Sequence, residues 1–399
     1  MSKRVWLLGL AVLISIGLLV ACGSNYNSAS DGLVLVGSQG SNQIQTFSFN
    51  LNTGHASGIG NPPSTTDQPA AIVVDPAGAY AYVIVGKAIQ PFKVNSGGTL
   101  TAAGDPVSDP NPLALSMDAA GKFLFVAEGN GGALVNAYAI SSGGGLTLAT
   151  PTFTLPSTAL VPNIVAVAST PTVFPPVGIN GVQNAVCSVP ENNPPNSQYL
   201  YAVDSVNYVV WQFTVDTSTG ALGNPVGTVA VPSFETEAVP AGIAVDPCDR
   251  FVYVSGSLHN KVSAYTICTA VSLTCPLANG TLVDVPGSPF ALAGSANGAG
   301  PLVVDPFGNN VYVLGTLSNT VSPLKISPAS GALTPMSPAT IVTGSQPKAI
   351  AIRADDNWLF VTNFTSANVS QYSVTPSTGA LNAEAPIDTE TYPFGVAVK

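Results

Sequence analysis

The sequence predicts an all-β chain wound into a seven-bladed β-propeller, with the C-terminal strand completing the N-terminal blade. Three observations carry this. An apolar run that ends in an Asp-Pro-x-Gly type of turn recurs along the chain, and a second, aromatic-rich run follows it. Short Gly turns then close each unit, at a usual spacing of about 43 to 50 residues. The two ends of the chain are complementary fragments of one unit.

The clearest unit runs from Gln346 to Asn382, QPKAIAIRADDNWLFVTNFTSANVSQYSVTPSTGALN. Its strand A is the apolar run that opens at Pro347 and reaches a tight turn before Asn357. Strand B is Trp358 to Asn363, and a polar loop at Thr365 to Asn368 leads into strand C, which alternates from Val369 to Val374. The turn at Ser377 to Gly379 precedes strand D, which begins at Ala380-Leu381. Period-two alternation, β-branched and aromatic residues, and Gly, Pro, Asn or Asp at each break are what antiparallel strands and their turns require. A lone sheet of this kind has two open edges and two apolar faces. It must recur.

In chain order, strand A opens at Pro69 (PAAIVVDPAG), Pro112 (PLALSMDAAG), Pro162 (PNIVAVAS), Pro240 (PAGIAVDPCD), Ala299 (AGPLVVDPFG), Pro347 and Pro393 (PFGVAVK). Strand B begins near Leu33, Tyr80, Phe123, Tyr199, Phe251, Val311 and Leu359. The closing turns include Asn52-Thr53-Gly54, Ser218-Thr219-Gly220 and Ser330-Gly331. The chain therefore starts at a strand B without its strand A and ends at a strand A without its followers. Ring closure explains this, because it removes the sheet edges that an open array leaves exposed. Extra length in Thr170 to Ser197 falls in the A–B loop of the fourth blade. A second excess, around Cys268 to Ala278, falls in the C–D loop of the fifth.

Composition agrees. The chain has 399 residues, 46% of them apolar and 8% charged, enough for a large core and too apolar for disorder. Its formal charge is −10 with no basic stripe, which speaks against nucleic acid as a partner. At the N-terminus, Lys3-Arg4, the apolar run Val5 to Val20 and Leu19-Val20-Ala21-Cys22 resemble a bacterial lipoprotein signal and its lipobox. That resemblance implies a signal peptide over 1–21, lipidation at Cys22, a polar tether over 22–31 and the propeller over 32–399. It implies an exported protein of the outer membrane or facing the periplasm, held to the membrane by lipid and expected to be monomeric. Cys187, Cys248, Cys268 and Cys275 remain, an even number that suggests two disulfides. Three connectivities are open. All four cysteines fall on the face shared by A–B and C–D loops, and the expected pairs are Cys268–Cys275 and Cys187–Cys248. Their spacing does not suit zinc.

Phe360-Val361-Thr362-Asn363 is one residue from a YVTN signature. With the Asp-Pro-x-Gly turns and the Thr-Gly-x-Leu turn, it resembles the lactonase-type seven-bladed propellers related to 6-phosphogluconolactonase. The resemblance spans nearly everything after about Leu33. It implies the fold and, for activity, hydrolysis of a sugar lactone.

The recurring Asp75, Asp118, Asp246 and Asp305 suit a turn role, because an aspartate at the head of a bend accepts backbone N–H groups. Lactone hydrolysis needs a base and a donor for the carbonyl oxygen. No Gly-x-Ser-x-Gly, HExxH, EF-hand or Walker sequence is present. The D–A and B–C loops share the face where propellers usually bind ligands, here called the mouth. Glu128 and Asp204 open B–C loops there and His259 lies in another, so these three are the candidate catalytic residues, with desolvation expected to raise a carboxyl pKa. Acids in or near D–A connections, including Asp109, Glu235, Glu237 and Asp388, suggest an acidic mouth for a cation, cationic peptide or sugar. Lys87, Lys261 and Lys348 are its expected counter-charges. Asn363, which ends the YVTN-like tetrapeptide, is counted with the binding residues. No cofactor and no metal ligand set is expected, leaving room for a structural or bound divalent cation. Two functions follow: a lipid-anchored scaffold that binds an unknown protein, peptide or carbohydrate, and an exported lactone hydrolase.

Overall fold

The computed structural model describes residues 31–118, 120–129, 134–149, 153–154, 163–169, 197–223, 227–230, 239–268, 275 and 280–399. Residues 1–30 lie outside it, so the signal segment and Cys22 do too, as do Cys187, Glu235 and Glu237. The described residues form seven antiparallel sheets and no helix. Blades are numbered here by the chain order of their B strands, from Asp31–Ser38 in blade 1 to Trp358–Asn363 in blade 7. The seven A strands touch one another in sequence around the axis. Pro393–Val398 contacts both Pro347–Ile352 and Pro69–Val74, which completes the circle.

Closure is antiparallel. In blade 1, Asp31–Ser38 lies between Gln43–Asn50 and Pro393–Val398, with Val34 opposite Val398 and Val36 opposite Val396. The end is fastened by a mutual pair, Leu33 N–H to Lys399 O at 3.1 Å and Lys399 N–H to Leu33 O at 2.9 Å.

Strand B is buried on both faces, which explains its unbroken apolar runs. In blade 1, Leu33 and Leu35 pack towards blade 2 while Val34 and Val36 pack towards blade 7, as period-two alternation dictates. Seven apolar clusters result, one at each blade–blade contact. Phe49, for example, meets Trp358 and Phe360 edge-on at 5.8 and 5.0 Å.

A polar latch accompanies this packing. Tyr201, Tyr253 and Tyr312 on strand B donate to the carbonyls of Gly280, Gly331 and Gly379, the C–D turn glycines of the next blade, at 2.7, 3.2 and 2.8 Å. Gly331 is left-handed (φ 76°), and a Cβ there would stand 2.5 Å from the Phe251 ring. Gly331→Ala is therefore expected to cost roughly 1–3 kcal/mol through strain and overpacking. Chemical denaturation measures this, and an unchanged midpoint would show the contact to be slack.

The outer strand differs from the single strand D read from the sequence. In five blades it is two short pieces, as in Ala380–Ala383 and Ile387–Asp388, which pair with opposite ends of strand C. Strand A carries a register shift beside the last residue of strand B in every blade, all at the mouth. Bulges of this kind re-aim side chains at strand ends.

On the opposite face the repeated aspartates do turn work. Asp75 accepts from the N–H groups of Ala79 and Tyr80, Asp118 from Lys122 and Phe123, and Asp305 from Phe307 and Asn309. Asp246 adds a two-pronged bond with Arg250, at 2.8 Å on each side. The left-handed place in these turns belongs to Gly78, Gly121 and Gly308, but to Asp249 and Asp356 in blades 5 and 7. Short polar side chains tolerate that conformation best after glycine. Asp356 is fully buried, and neither carboxylate oxygen meets a donor among the described residues. Burial, then the charges of Asp305 and Asp355, push its carboxyl up to about 8; burial and Asp246 push Asp249 up to about 8 as well.

An unfolded aspartate titrates near 4, so the native state retains protons that the unfolded chain has released. The stability these two groups contribute is fullest below about pH 4 and is lost as the pH rises through about 8. The melting temperature is expected to fall between about pH 6 and about pH 9, and Asp356→Asn to lessen that fall. A melting temperature equal at both ends would exclude neutral acids at these positions.

The disulfide Cys268–Cys275 closes the C–D loop of blade 5. Cys248, in the A–B turn of the same blade, is disulfide-bonded as well, and its expected partner lies outside the described residues.

Candidate functional site: a carboxyl pair at the mouth

Five B–C turns share one design. Each spans four residues and ends on a left-handed residue: Asn42, Tyr208, Asn260, Asn319 and Ala367. Blade 2 uses the shorter Gly86-Lys87, with Gly86 at φ 55°. The D–A connections are tied to these turns by backbone bonds, in which Thr65, Asp109, Leu292, Thr343 and Thr389 donate to the turn carbonyls of Asn42, Lys87, Asn260, Asn319 and Ala367. The bulged ends of strand B place Ser38, Val85, Glu128, Asp204, Gly256, Gly315 and Asn363 at one level around the mouth. Two of the seven are acids, and their surroundings set them apart.

Asp204 is committed to its own turn. Its carboxylate accepts from the N–H groups of Asn163, Val206 and Asn207, from the Asn207 amide at 2.7 Å and from the Trp211 indole at 3.3 Å. Such a group caps a loop and has no lone pair to spare for a reaction.

Glu128 has no such shell. Its side chain faces Asp109, which the D–A connection from blade 2 brings in under the Lys87 turn. Both are buried, at 4% and 1% exposure. Asn136 on strand C donates to both carboxyls, to Asp109 at 3.1 Å and to Glu128 over a shorter path. Tyr138 donates to the same Asp109 oxygen at 2.9 Å. Burial, then the Asp109 charge and its hydrogen bond, push the Glu128 carboxyl up to about 7, opposed by the Asn136 bond. Two acids sharing one site are how a carboxyl keeps its proton near neutrality.

The other candidates sit apart from this pair. His259 lies in the B–C turn of blade 5, two blades away, and no described bond links it to Glu128. Lys261 opens strand C of the same blade. Asn363 is buried and donates to Asn368 and Ser370 at 2.8 Å each. Arg250–Asp246 and Arg353–Asp355 form ion pairs on the opposite face. Lys348 instead lies over aromatic rings. Lys87 is exposed and meets the pair only through its backbone. No group of three or more His, Cys, Asp or Glu among the described residues could hold a metal ion.

Reading the chain by loop class puts Asp109 on a solvated rim. The structure buries it, because position 109 is the residue after strand D that turns beneath the neighbouring B–C turn. The equivalent places hold Thr65, Leu292, Thr343 and Thr389, all half-buried, so the repeat itself carries no signal for the burial of Asp109.

Ring, bulged strand ends and a buried carboxyl pair together define a seven-bladed propeller with one chemically distinctive place at its mouth. The family described as lactonase, 7-bladed β-propeller, matches this chain over residues 30–163 and 279–391, more than half of its length. The protein belongs to that family. The unmatched stretch, 164–278, holds most of both loop insertions. No curated protein matches the sequence. Among solved structures, the Pseudomonas aeruginosa periplasmic gluconolactonase is 18% identical, with a TM-score of 0.70 over 92% of this chain and 99% of that one. A Bacteroides fragilis protein provisionally described as a 6-phosphogluconolactonase is also 18% identical, with a TM-score of 0.71 over 94% and 100%. A Lactobacillus plantarum protein gives 17% and 0.71 over 92% and 99%. At these identities the likeness is one of fold.

Proposed function

We propose that the protein is a lactone hydrolase in which Glu128 is the general base and Asp109 tunes it. The observation that carries this is the buried pair itself, an acid poised near neutral pH at the face where loops converge. The ionised Glu128 takes a proton from water as its oxygen adds to the lactone carbonyl carbon. The tetrahedral intermediate then collapses, the ring C–O bond breaks, and the departing alkoxide recovers the proton from Glu128. Asn136 holds both carboxyls in place, and the Tyr138 hydroxyl keeps Asp109 oriented. A sugar lactone is the substrate class favoured by the names of the similar structures. The disulfide at Cys268–Cys275 supports an exported protein, since oxidising compartments preserve such bonds.

The test is turnover of a panel of sugar γ- and δ-lactones by purified protein. Ring opening faster than in buffer, lost in Glu128→Gln, supports the reading; turnover no faster than buffer removes it.

The second reading, a lipid-anchored binding scaffold, is favoured by a different observation. Of the six exposed large hydrophobic residues among those described, five (Leu113, Leu258, Leu317, Val342 and Tyr392) lie on the mouth side. Solvent-facing apolar side chains gathered on one face suit a docking partner. Under this reading Leu258→Ser with Leu317→Ser abolishes capture of a partner in pull-down, while capture unchanged by the pair of substitutions counts against it.

A further inference from the structure

The outer wall between blade 7 and blade 1 holds a cleft of about 480 Å³, apart from the carboxyl pair. Its blade 7 side is Gln371 on strand C and the segment 384–388, where the outer strand breaks between its two pieces. Its blade 1 side runs from Thr53 in the C–D turn to Gly58 at the end of strand D, with Phe47 beside them. No lysine or arginine is among the described residues that line it, whereas Glu384 and Asp388 are. A cavity walled by one sign of charge concentrates the opposite ion.

Gln371 is 4% exposed, and the repeat explains its bonding. The same place on strand C of blade 4 is Gln212. Each faces the residue three before the end of strand B, which is Tyr201 for Gln212 and Phe360 for Gln371. Between blades 4 and 5 the Tyr201 hydroxyl takes the Gly280 carbonyl, and the Gln212 amide oxygen accepts the Leu282 N–H at 3.0 Å. Phe360 has no hydroxyl. Gln371 turns its Nε2 to the equivalent carbonyl, that of Gly54, at 2.8 Å, and its Oε1 is left with no donor among the described residues. Buried acceptors in folded proteins are paired, so an orphan in a cavity wall marks where a guest's donor belongs. Glu384 adjoins it. Its N–H donates to the Gln371 carbonyl at 3.0 Å, and the Ser373 hydroxyl steadies one carboxylate oxygen at 2.8 Å. The rest of the lining includes Phe47 and Ile387 from one apolar cluster, with Ala56 packed against it.

We propose that this cleft binds a small primary amine, in its ammonium form and with an apolar body. An ammonium has three N–H donors, enough for the Gln371 Oε1 and the Glu384 carboxylate together. The apolar body rests against Phe47, Ala56 and Ile387. The site uses neither Glu128 nor Asp109 and does not depend on the hydrolase reading.

Calorimetric titration of the protein at neutral pH with phenethylamine tests it. The controls are phenethyl alcohol, which loses the charge, hydrocinnamate, which reverses it, and ethylamine, which loses the ring. Saturable binding of phenethylamine is expected, and Glu384→Gln should weaken it about tenfold or more. Gly58 stands opposite Phe47 and shares its face, and a Cβ there meets nothing within 4 Å. Gly58→Leu is therefore expected to fill the cleft and abolish binding with the melting temperature unchanged. Asp284→Asn, which removes an exposed charge from strand D of blade 5, should bind like wild type. Binding that survives either cleft substitution unchanged, equal binding of the alcohol, or no binding at millimolar phenethylamine overturns the proposal.

Discussion

Lactone turnover is expected to rise with pH through about 7 and to level above it, because Glu128 accepts a proton only once it has lost its own. Replacing this carboxyl by an amide keeps its size and removes its basicity. Glu128→Gln should therefore lower kcat/KM by roughly 10²–10⁴-fold, the usual contribution of a positioned base. It should also flatten the pH profile, which a merely structural loss would leave in shape. Asp109→Asn gives a sharper test, because it removes the neighbouring charge that is the second cause of the upward shift. The inflection should move below 7 while activity above it persists in part. An inflection that stays in place in Asp109→Asn would show that the two carboxyls do not share a site in solution.

Loss of the last strand is expected to be more damaging to the fold than any single substitution in a blade. Deleting Pro393–Lys399 uncovers one edge of Asp31–Ser38 and strips Val396 and Val398 from the cluster with Trp358 and Phe360. It also separates the strands A of blades 7 and 2. An opened ring with an apolar strand edge is prone to pair with other chains. The truncated protein should aggregate or melt without cooperativity. Gly395→Val is the gentler version. A Cβ at this position would stand 1.9 Å from the Ala70 carbonyl oxygen, so blade 1 and blade 2 would have to move apart. A loss of about 3 kcal/mol or more is expected from denaturant unfolding. A cooperative transition at the wild-type midpoint in both variants would mean that closure contributes nothing.

The propeller was legible because its signals are local and repeated. Each turn aspartate precedes a bend that needs it, each strand B is apolar at consecutive positions, and the fragments at Leu33 and Pro393 match as halves of one sheet. Half of the carboxyl pair was legible too. Glu128 stands at the end of a strand whose position recurs seven times, so its place at the mouth followed from the repeat. Asp109 was not, because its burial depends on how the chain leaves blade 2, and loop class alone says nothing of which way a side chain turns. Asp204 illustrates the converse. Its place in the repeat equals that of Glu128, but Asn207 and Trp211 lie within hydrogen-bonding reach and occupy it. Lys348 read as a charge awaiting an acid; its partners are rings contributed by a turn and by the far end of the chain, contacts invisible to spacing.

Strand B of each blade runs towards the mouth, so the chain enters blade 1 at Asp31 on the far side, beside Lys399. Whatever segment precedes Asp31 joins the disc from underneath. The chain's entry and the mouth thus occupy opposite faces of the disc, so whatever is joined ahead of Asp31 leaves the surface that carries Glu128 and Asp109 uncovered.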